Sequence, residues 1–450
     1  MFVGSDNEWV VWTPQGYHKA SPNGQRLIGW HVNKGEDQAA EFFTAAQFGK
    51  SLYRPDILAH VLETGSVAAA VKRADQERGK QTLVKKVEDA LPPTVRLTSP
   101  ASGSPPLDRS TLTVTATAGS RGVHPVTMLK LLVDGRPYDG LKGERKFDSP
   151  KLGEVQGTWT VELSVGKHRL QVLADSAVSQ GKSDEVAVSY IGGGADPVLL
   201  PKLYVVAIGI TEYPGSLKLN YAAKDAEVFV RTIGAGGKPL FRQIETKLLT
   251  DKQATRAEVL KSLTWLRQQM TQNDFGIFFF AGHGEKDSDG ALYFLPVDAD
   301  TTDLLSSAVP SEQIKRSMTS IPGKLMLMLD ACHSGGLDAP ANGKRRAAGS
   351  LTDDLVRDLI NDENGLIVMC SSTGREFSLE NNEHRHGNFT LAVNEGLSGK
   401  ADFNKDGSVY ITELDLYVTD RVKELSKGQQ HPVTGKPVGL RPFPLSKTKP

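Results

Sequence analysis

A cysteine and a histidine, each near the end of an apolar run, have the residue types needed for nucleophilic chemistry. Cys332 follows LMLMLDA, and His283 follows DFGIFFFAG. A thiol is only slightly ionised near neutral pH, so it needs a neighbouring imidazole as base or ion-pair partner before it attacks a carbonyl carbon. Each residue alone is more often structural, but the two together predict a cysteine nucleophile with a histidine base.

Glycines surround both predicted catalytic residues. Gly282 and Gly284 flank His283, and a glycine pair at 335–336 follows Cys332. Glycine leaves room for a bound peptide and allows unusual backbone angles. We therefore expect the backbone N–H groups of Gly284 and Cys332 to form an oxyanion hole, in which the loss of one donor typically costs about 3 to 4 kcal/mol.

The chain from about residue 200 to 450 alternates apolar runs with amphipathic stretches. The runs KLYVVAIGI, DFGIFFFAG, KLMLML and GLIVMC are separated by stretches such as YAAKDAEVFVRTI and RAEVLKSLTWLRQQM. This pattern predicts an α/β fold with a mostly parallel sheet and helices on both faces. Because catalytic groups of such sheets gather at the carboxyl ends of the strands, His283 and Cys332 should lie at one edge.

Two further segments precede this α/β domain. Residues 93–192 contain short alternating runs such as STLTVTATA and GTWTVELSV, which predict an immunoglobulin-like or fibronectin-like β-sandwich. Residues 1–92 combine a tryptophan-rich start with AAEFFTAAQFGKSLY, which has helical period, and they predict a small α/β adaptor segment. The stretch GGGADP at 192–197 is then a flexible connector.

The composition argues against several kinds of partner. The chain has 450 residues with 53 basic and 53 acidic side chains, so we expect neither nucleic acid nor an anionic membrane as its main partner. The apolar runs are too short to span a bilayer, and the start MFVGSDNEW lacks a secretory signal. Two cysteines cannot form a disulfide framework or a four-thiolate zinc site. These features predict a soluble, cytoplasmic protein that requires no cofactor.

The motif FFFAGHGE followed by LMLDACHSG resembles the clan of caspases and their relatives, peptidase family C14, and most closely its metacaspase and bacterial orthocaspase branch. YVVAIGI, YAAKDAE and GNFTLAVNEGL add to the resemblance, which extends from about residue 202 to the C-terminus. It implies a caspase-like fold and a cysteine endopeptidase of protein or peptide substrates. His283 would be its base and Cys332 its nucleophile.

Two alternatives to a peptidase stay open at this point. One is an inactive caspase-like scaffold or interaction protein, against which the intact pair of His283 and Cys332 argues. The other is a cysteine hydrolase or transferase that acts on a nonpeptide substrate.

The segments before the α/β domain have expected roles outside catalysis. The sandwich is expected to be a binding or spacer module, and the N-terminal segment an adaptor or a packing layer. Either is the candidate contact for a regulatory partner. The stretch WVVWTPQGYHKASPNGQRLIGWHVN also resembles the region after β-propeller repeats in bacterial propeller–protease fusions, which suggests that an upstream propeller is absent from this chain.

Two acids are candidates for the primary specificity pocket. Asp330 lies two residues before Cys332, so the two side chains share one side of the strand, and Asp225 follows the first strand. In metacaspase-like relatives the matching acids hold a basic P1 side chain, so the resemblance implies cleavage after Arg or Lys. The caspase signature has Gln at the position of Asp330, so aspartate specificity is not expected. Ala281 replaces a residue that is usually polar in metacaspases, which removes one pocket contact.

Each residue of the predicted pocket also has a structural interpretation. Asp225 suits a helix N-terminus, where the macrodipole favours an acid, and Asp330 suits a group that orients its neighbours. In relatives, the loop that begins with Ser371 and Ser372 lines the substrate groove, so we expect the same of these serines. Cys370 ends an apolar strand and is interpreted as a buried, inert thiol.

The stretch LDAPANGKRRAAGSLTDD after the nucleophile contains the tribasic run Lys344, Arg345 and Arg346. Small, polar loop tips of this kind are the usual places of proteolytic nicking. Family members are often processed between their large and small halves, so the resemblance implies self-cleavage in this run. A solvated basic loop is the alternative.

The stretch DFNKDGSVYITE at 402–413 matches the pattern of a calcium-binding loop. Its candidate ligands are Asp402, Asn404, Asp406, Ser408 and Glu413. Gly407 suits the sharp turn of such a loop, whereas Tyr410 is a poor residue where a polar side chain is usual. Calcium is therefore a candidate ligand, and a purely structural loop is the alternative.

Two histidines near the C-terminus do not form a recognisable zinc motif. His384 and His386 lie in NNEHRHGNF without a convincing third ligand. We interpret them as part of an exposed loop.

Overall fold

The computed structural model divides the chain into two compact units, Met1–Asp196 and Pro197–Pro450. The residues it describes are 1–5, 8–84, 86–192, 200–287, 291–333, 356–357, 359–360, 365–372, 376, 378–437 and 443–448. The tribasic run at Lys344, Arg345 and Arg346 lies outside the described residues. Within the described ranges, no helix combines the length and the apolar character needed to cross a bilayer.

Short strands dominate the first unit. Its strands are β1 (Phe2–Val3), β2 (Trp9–Trp12), β3 (His18–Ala20), β4 (Gly29–Val32), β5 (Glu41–Thr44), β6 (Thr94–Ser99), β7 (Thr111–Gly119), β8 (Met128–Val133), β9 (Arg136–Pro137), β10 (Glu144–Lys146), β11 (Glu154–Glu162), β12 (Gly166–Asp175), β13 (Gln180–Lys182) and β14 (Val186–Tyr190). Its α-helices are α1 (Gly49–Leu52), α2 (Pro55–Thr64) and α3 (Val67–Arg78). Its 3₁₀ turns are Gly24–Leu27, Ala45–Phe48, Val87–Ala90 and Gly140–Gly143.

Two antiparallel sheets of the first unit form a β-sandwich. One sheet has the order β11-β7-β6, and the other has the order β10-β8-β12-β13, with β14 also paired to β12. Burial alternates along β7 and β11, because every second residue faces a shared core that contains Trp159, Leu129 and Val172. The structure confirms the β-sandwich that the alternating runs predict, while its immunoglobulin-like character stays a prediction.

The N-terminal segment combines short strands with a helix pair. The α2–α3 pair packs over a core that includes Phe48 and Leu52, and Val178 of the sandwich belongs to the same apolar cluster. The helical interpretation is wrong for Phe42 and Phe43, which lie in β5. Phe43 is buried and Phe42 is 55% exposed, because successive residues of a strand face opposite sides. The boundary at residue 92 stays a prediction.

The second unit alternates strands and helices. Its strands are β15 (Lys202–Gly209), β16 (Gln243–Thr250), β17 (Phe275–Lys286), β18 (Leu292–Phe294), β19 (Val309–Pro310), β20 (Lys324–His333), β21 (Ile367–Cys370), β22 (Glu380–Asn381), β23 (His386–Gly387), β24 (Ser408–Tyr410), β25 (Val433–Gly435) and β26 (Pro444–Lys447). Its α-helices are α4 (Ala222–Gly237), α5 (Arg256–Gln269), α6 (Leu304–Ser307), α7 (Ser311–Ser320), α8 (Asn388–Glu395) and α9 (Ile411–Leu425). Its 3₁₀ turns are Gly215–Leu217 and Asp251–Gln253, and a π-helical turn covers Gly396–Lys400.

A mostly parallel sheet forms the centre of the second unit. Its order is β16-β15-β17-β20-β21-β25, in which β25 is the antiparallel member. Tyr204 and Val206 of β15 face one apolar cluster, whereas Leu203 and Val205 face the other. Helices α5 and α7 cover the first face, and α4, α8 and α9 cover the second. This is the α/β arrangement that the apolar runs predict.

The chain reverses its direction across the sheet at β15. Helix α4 connects β15 to β16 over one face, and α5 connects β16 to β17 over the other. Ligands of such sheets usually bind at the carboxyl ends of the strands beside this reversal. A Cβ at Gly209, the last residue of β15, would lie 2.2 Å from the carbonyl oxygen of Ala222, so glycine permits α4 to begin close to the strand.

Strands β17 and β20 extend further than the apolar runs predict. β17 continues through His283 to Lys286, and β20 continues through Cys332 to His333. The extensions form because the two strands pair with each other, and the last residues of β17 also pair with antiparallel β18. The predicted catalytic residues therefore lie in the paired ends of strands rather than in loops that follow them.

Candidate active site

The backbone of the sheet places His283 beside Cys332. The two residues are register partners in the parallel strands β17 and β20, near the carboxyl ends of both. Neighbouring strands lie about 4.8 Å apart, so the two backbones are adjacent. Gly284, one residue further along β17, is in register with His333 of β20 and with Phe294 of β18. The role of Gly284 and Cys332 as oxyanion donors stays a prediction.

A backbone carbonyl holds the buried imidazole of His283. Its Nε2 lies 2.7 Å from the Leu217 carbonyl oxygen, which can only accept a hydrogen bond, so Nε2 carries the proton. Nδ1 is buried and makes no hydrogen bond within the described part of the chain. Burial lowers the pKa of His283 from its ordinary value, and the bond to Leu217 partly opposes that shift. The ring is therefore neutral, with its proton on Nε2 and its lone pair on Nδ1.

Tyr213 is a site residue that the sequence analysis missed. Its hydroxyl accepts a hydrogen bond of 3.1 Å from the His283 N–H and donates one of 2.7 Å to the Leu295 carbonyl. The two rings also pack with centroids 4.7 Å apart. Burial raises the pKa of Tyr213, so the hydroxyl stays protonated and able to donate. Its position could have identified Tyr213 from the sequence, because this residue follows the first strand of the domain at the sheet edge where catalytic groups gather.

Asp225 is buried in the first turn of α4, and both of its carboxylate oxygens accept hydrogen bonds. Oδ1 accepts from Nδ1 of His386, and Oδ2 accepts from the Gly387 N–H at 2.8 Å. Burial raises the pKa of Asp225 to about 6, and the charge of Asp330 acts in the same direction. The hydrogen bonds from His386 and Gly387 oppose this rise.

Asp330 is buried in β20. Its Oδ1 accepts a hydrogen bond of 2.6 Å from the Ser378 hydroxyl, and its Oδ2 accepts one of 2.6 Å from the Thr390 hydroxyl. Burial raises the pKa of Asp330, whereas both hydroxyls lower it. A Cβ at Gly387 would lie 2.8 Å from Oδ2 of Asp330 and 3.2 Å from Oδ2 of Asp225. The structure thus brings the two predicted pocket acids together around one glycine.

The interpretation of both C-terminal histidines as exposed is wrong for one of them. His384 is exposed, but the side chain of His386 is only 13% exposed. His386 lies in β23 and pairs with Asp225, because the β22–β23 hairpin folds against the start of α4. This contact joins residues that are 161 positions apart, which no local pattern reveals.

The serines after β21 are buried. Ser371 and Ser372 are 1% and 5% exposed, and the Ser372 hydroxyl donates to the Glu376 carbonyl. Gln430, which the sequence analysis missed, donates to the Ser371 carbonyl at 2.9 Å and accepts from the Leu379 N–H at 3.0 Å. Contact of these serines with substrate stays a prediction.

Cys370 is buried in the core of the sheet. It is 2% exposed and belongs to the apolar cluster that α5 and α7 cover. This placement agrees with a structural thiol.

The candidate calcium loop forms a tight turn. Asp402 accepts hydrogen bonds from the N–H groups of Asp406 and Gly407, and Asp406 in turn accepts from the Ser408 N–H. Glu413 instead accepts from the Tyr410 N–H at the start of α9. Across the described ranges, no three His, Cys, Asp or Glu side chains lie close enough together to share a metal ion.

Asn404 completes that turn. Its Oδ1 accepts a hydrogen bond of 2.9 Å from the Asp406 N–H, and its Nδ2 donates to the Asp406 carboxylate. Hydrogen bonds between residues of the loop itself therefore stabilise the turn.

Comparison with known proteins identifies the matching family. The family model described as Caspase domain, Peptidase C14, matches residues 202–436, which is more than half of the chain. No curated protein matches the chain.

Several solved structures are similar to parts of the chain. Protein GSU0716 from Geobacter sulfurreducens is 16% identical with a TM-score of 0.39, over 55% of this chain and 100% of that chain. Pro-sf-caspase-1 is 13% identical with a TM-score of 0.31, over 52% of this chain and 86% of that chain. The fibronectin(III)-like modules of Clostridium thermocellum CbhA are 22% identical with a TM-score of 0.19, over 24% of this chain and 50% of that chain.

Replacing Tyr213 with phenylalanine should destabilise the second unit by about 1 to 3 kcal/mol, because the buried His283 N–H and Leu295 carbonyl lose the hydroxyl that bridges them. The change is measured in the urea-induced unfolding transition of this unit in the full chain. Tyr221→Phe is the control, since its hydroxyl bonds to the exposed Asn382 side chain, and it should change stability by less than about 0.5 kcal/mol. Equal effects of the two variants would contradict the bridging role.

Proposed function

Because the chain belongs to the family of proteins with a caspase domain, we propose that it is a cysteine endopeptidase in which His283 and Cys332 form the catalytic dyad. Membership supports a cysteine-peptidase hydrolase that acts on proteins. The observation that carries the assignment to these two residues is their register in β17 and β20, together with the buried imidazole of His283.

In the proposed mechanism, Nδ1 of His283 takes the proton of the Cys332 thiol, and the thiolate attacks the scissile carbonyl carbon. The Gly284 and Cys332 N–H groups stabilise the resulting oxyanion. The imidazolium then gives its proton to the leaving amine, which leaves a thioester on Cys332. A water molecule, deprotonated by His283, hydrolyses the thioester and restores the thiol. The Leu217 carbonyl accepts from Nε2 and so stabilises the charged imidazolium of each step.

The proposed specificity is for a basic P1 side chain. Asp225 and Asp330 provide two carboxylates that approach one point beside Gly387. A guanidinium or ammonium group suits such carboxylates, whereas an acidic P1 side chain would be repelled. Their alternative role is to hold the segment that contains His386 and Thr390, and the same hydrogen bonds support it.

Fluorogenic peptides that differ only at P1 test this proposal. Peptides with Arg or Lys at P1 should be cleaved more than about a hundredfold faster than the peptide with Asp, because like charges repel at the pocket. Cys332→Ala should lower kcat on the order of 10⁴-fold or more, since it removes the nucleophile. Faster cleavage after Asp would exclude the proposed specificity. Failure of an Arg-chloromethylketone to label Cys332, together with no turnover, would favour the scaffold alternative.

We further expect self-processing in the tribasic run of Lys344, Arg345 and Arg346, which meets the same P1 preference. The purified wild-type chain should separate into two fragments cut within this run, and the Cys332→Ala chain should stay intact. Intact-mass spectrometry of both proteins measures the outcome. The same fragments from the Cys332→Ala chain would show cleavage by another protease.

Calcium binding by the loop at 402–413 stays part of the proposal, supported by the ligand pattern alone. If the loop binds calcium, titration calorimetry of the chain freed of metal with EDTA should give heat at calcium concentrations up to about millimolar. Asp402→Asn should weaken that binding, because it removes a charged candidate ligand. Absence of heat at millimolar calcium would make the loop a structural turn.

A further inference from the structure

The two acids of the proposed pocket differ in how firmly their partners are held. Asp330 accepts from the hydroxyls of Ser378 and Thr390, and Oδ2 also accepts from the Thr390 N–H in the first turn of α8. Asp330 is 8% exposed and Thr390 is fully buried. Thr390 belongs to the packed interior at the start of α8, so a substrate cation cannot replace it on Oδ2 without moving that helix, whereas Ser378 lies half-buried in a loop.

Asp225 has one partner of a different kind. Its Oδ2 is held by the Gly387 N–H, but its Oδ1 is held by the imidazole of His386. The side chain of His386 is 13% exposed, while that of Asp225 is 3% exposed, so the imidazole is the more exposed member of this pair. Rotation of this one side chain would uncover Oδ1.

The hairpin that carries His386 is anchored independently of this contact. The Glu380 carboxylate accepts from the Asn220 and Tyr221 N–H groups just before α4. The Lys224 ammonium donates to the Arg385 carbonyl at 3.0 Å. Because these bonds hold β22 and the turn just before β23, the imidazole of His386 can leave Asp225 while the hairpin stays in place.

We propose that the imidazole of His386 occupies the P1-binding oxygen of Asp225 in the free enzyme, and that a basic P1 side chain binds by displacing it. This inference rests on the proposed function, since it takes Asp225 to be a P1 acid. The exchange conserves hydrogen bonds: one N–H donor on Oδ1 replaces another, and the displaced imidazole turns toward water. His386 is thus a specificity-determining residue, because a side chain without a cationic donor cannot compete for Oδ1.

The displacement lowers the apparent affinity for every basic substrate. Only the molecules in which His386 has left Oδ1 can bind the basic group. The apparent dissociation constant is therefore the intrinsic one divided by the fraction of such molecules. The imidazole also lowers the pKa of Asp225, so the comparison is made at a pH well above that pKa, where the carboxylate is ionised. Under that condition, removing the imidazole should improve binding of a basic P1 side chain relative to a neutral one. A purely structural role of His386 predicts the opposite sign, with both substrates impaired together.

The kinetic test compares His386→Ala with wild type on peptides that have Arg or norleucine at P1. His386→Ala should lower KM for the Arg peptide by about tenfold relative to KM for the norleucine peptide, because it removes a competitor that bonds to a charged group. His386→Asn, whose amide can still donate to Oδ1, should keep the wild-type KM. His384→Ala, on the exposed side of the same hairpin, is the matched control and should change neither substrate.

A thermodynamic cycle locates the effect on Asp225. In an Asp225→Asn background, His386→Ala should no longer lower KM for the Arg peptide. An undiminished gain in that background would overturn the proposal, and so would a higher KM or an equal loss for the Arg and norleucine peptides in the single variant.

A binding test separates failure of this inference from failure of the proposed function. Benzamidine, a small amidinium, is titrated by calorimetry into the full chain with Cys332→Ala, with and without His386→Ala. Tighter binding on removal of the imidazole, by about tenfold, supports displacement even if no peptide is cleaved. Equal or absent binding in both chains overturns it. A wild-type chain that cleaves no Arg peptide refutes the proposed activity alone, and the calorimetry still decides the role of His386.

Discussion

The pairing of β17 with β20 is the constraint on which the rest of the site depends. Both strands are buried on both faces, and their alternate side chains pack into two different clusters, so a slip of one residue would move each side chain to the opposite cluster. That register places His283 beside Cys332 and Ala281 beside Asp330. The packing of the two strands therefore positions the proposed dyad and the pocket acid, and the side chains at these positions provide the chemistry.

Backbone groups hold the base of the proposed dyad. The Nε2–H of the His283 ring donates to the Leu217 carbonyl. The backbone N–H of His283 donates to the Tyr213 hydroxyl, which in turn donates to the Leu295 carbonyl. Backbone partners do not titrate, so the tautomer of the imidazole does not depend on another ionisable side chain. The burial that lowers the pKa of His283 keeps the ring neutral.

The acidic pair serves packing and proposed recognition at the same time. Burying a carboxylate is costly unless hydrogen bonds satisfy it, and the structure supplies such bonds from Ser378, Thr390, Gly387 and His386. Burial and mutual repulsion raise the pKa of Asp225 to about 6. An incoming basic group would offset both the burial of the Asp225 carboxylate and its repulsion by Asp330. Because His386 holds the same carboxylate, binding in the proposed pocket would be coupled to the hairpin that carries His386.

The sequence by itself determined the features that repeat locally. Apolar runs and helical periods predict the α/β sheet, alternation predicts the sandwich, and strand-end chemistry singles out His283 and Cys332, because each of these signals lies within a few residues. Tertiary structure alone decided the contacts of Tyr213, Gln430 and His386. Their hydrogen bonds join loops that are distant along the chain, and such contacts depend on how the sheet folds rather than on any local pattern.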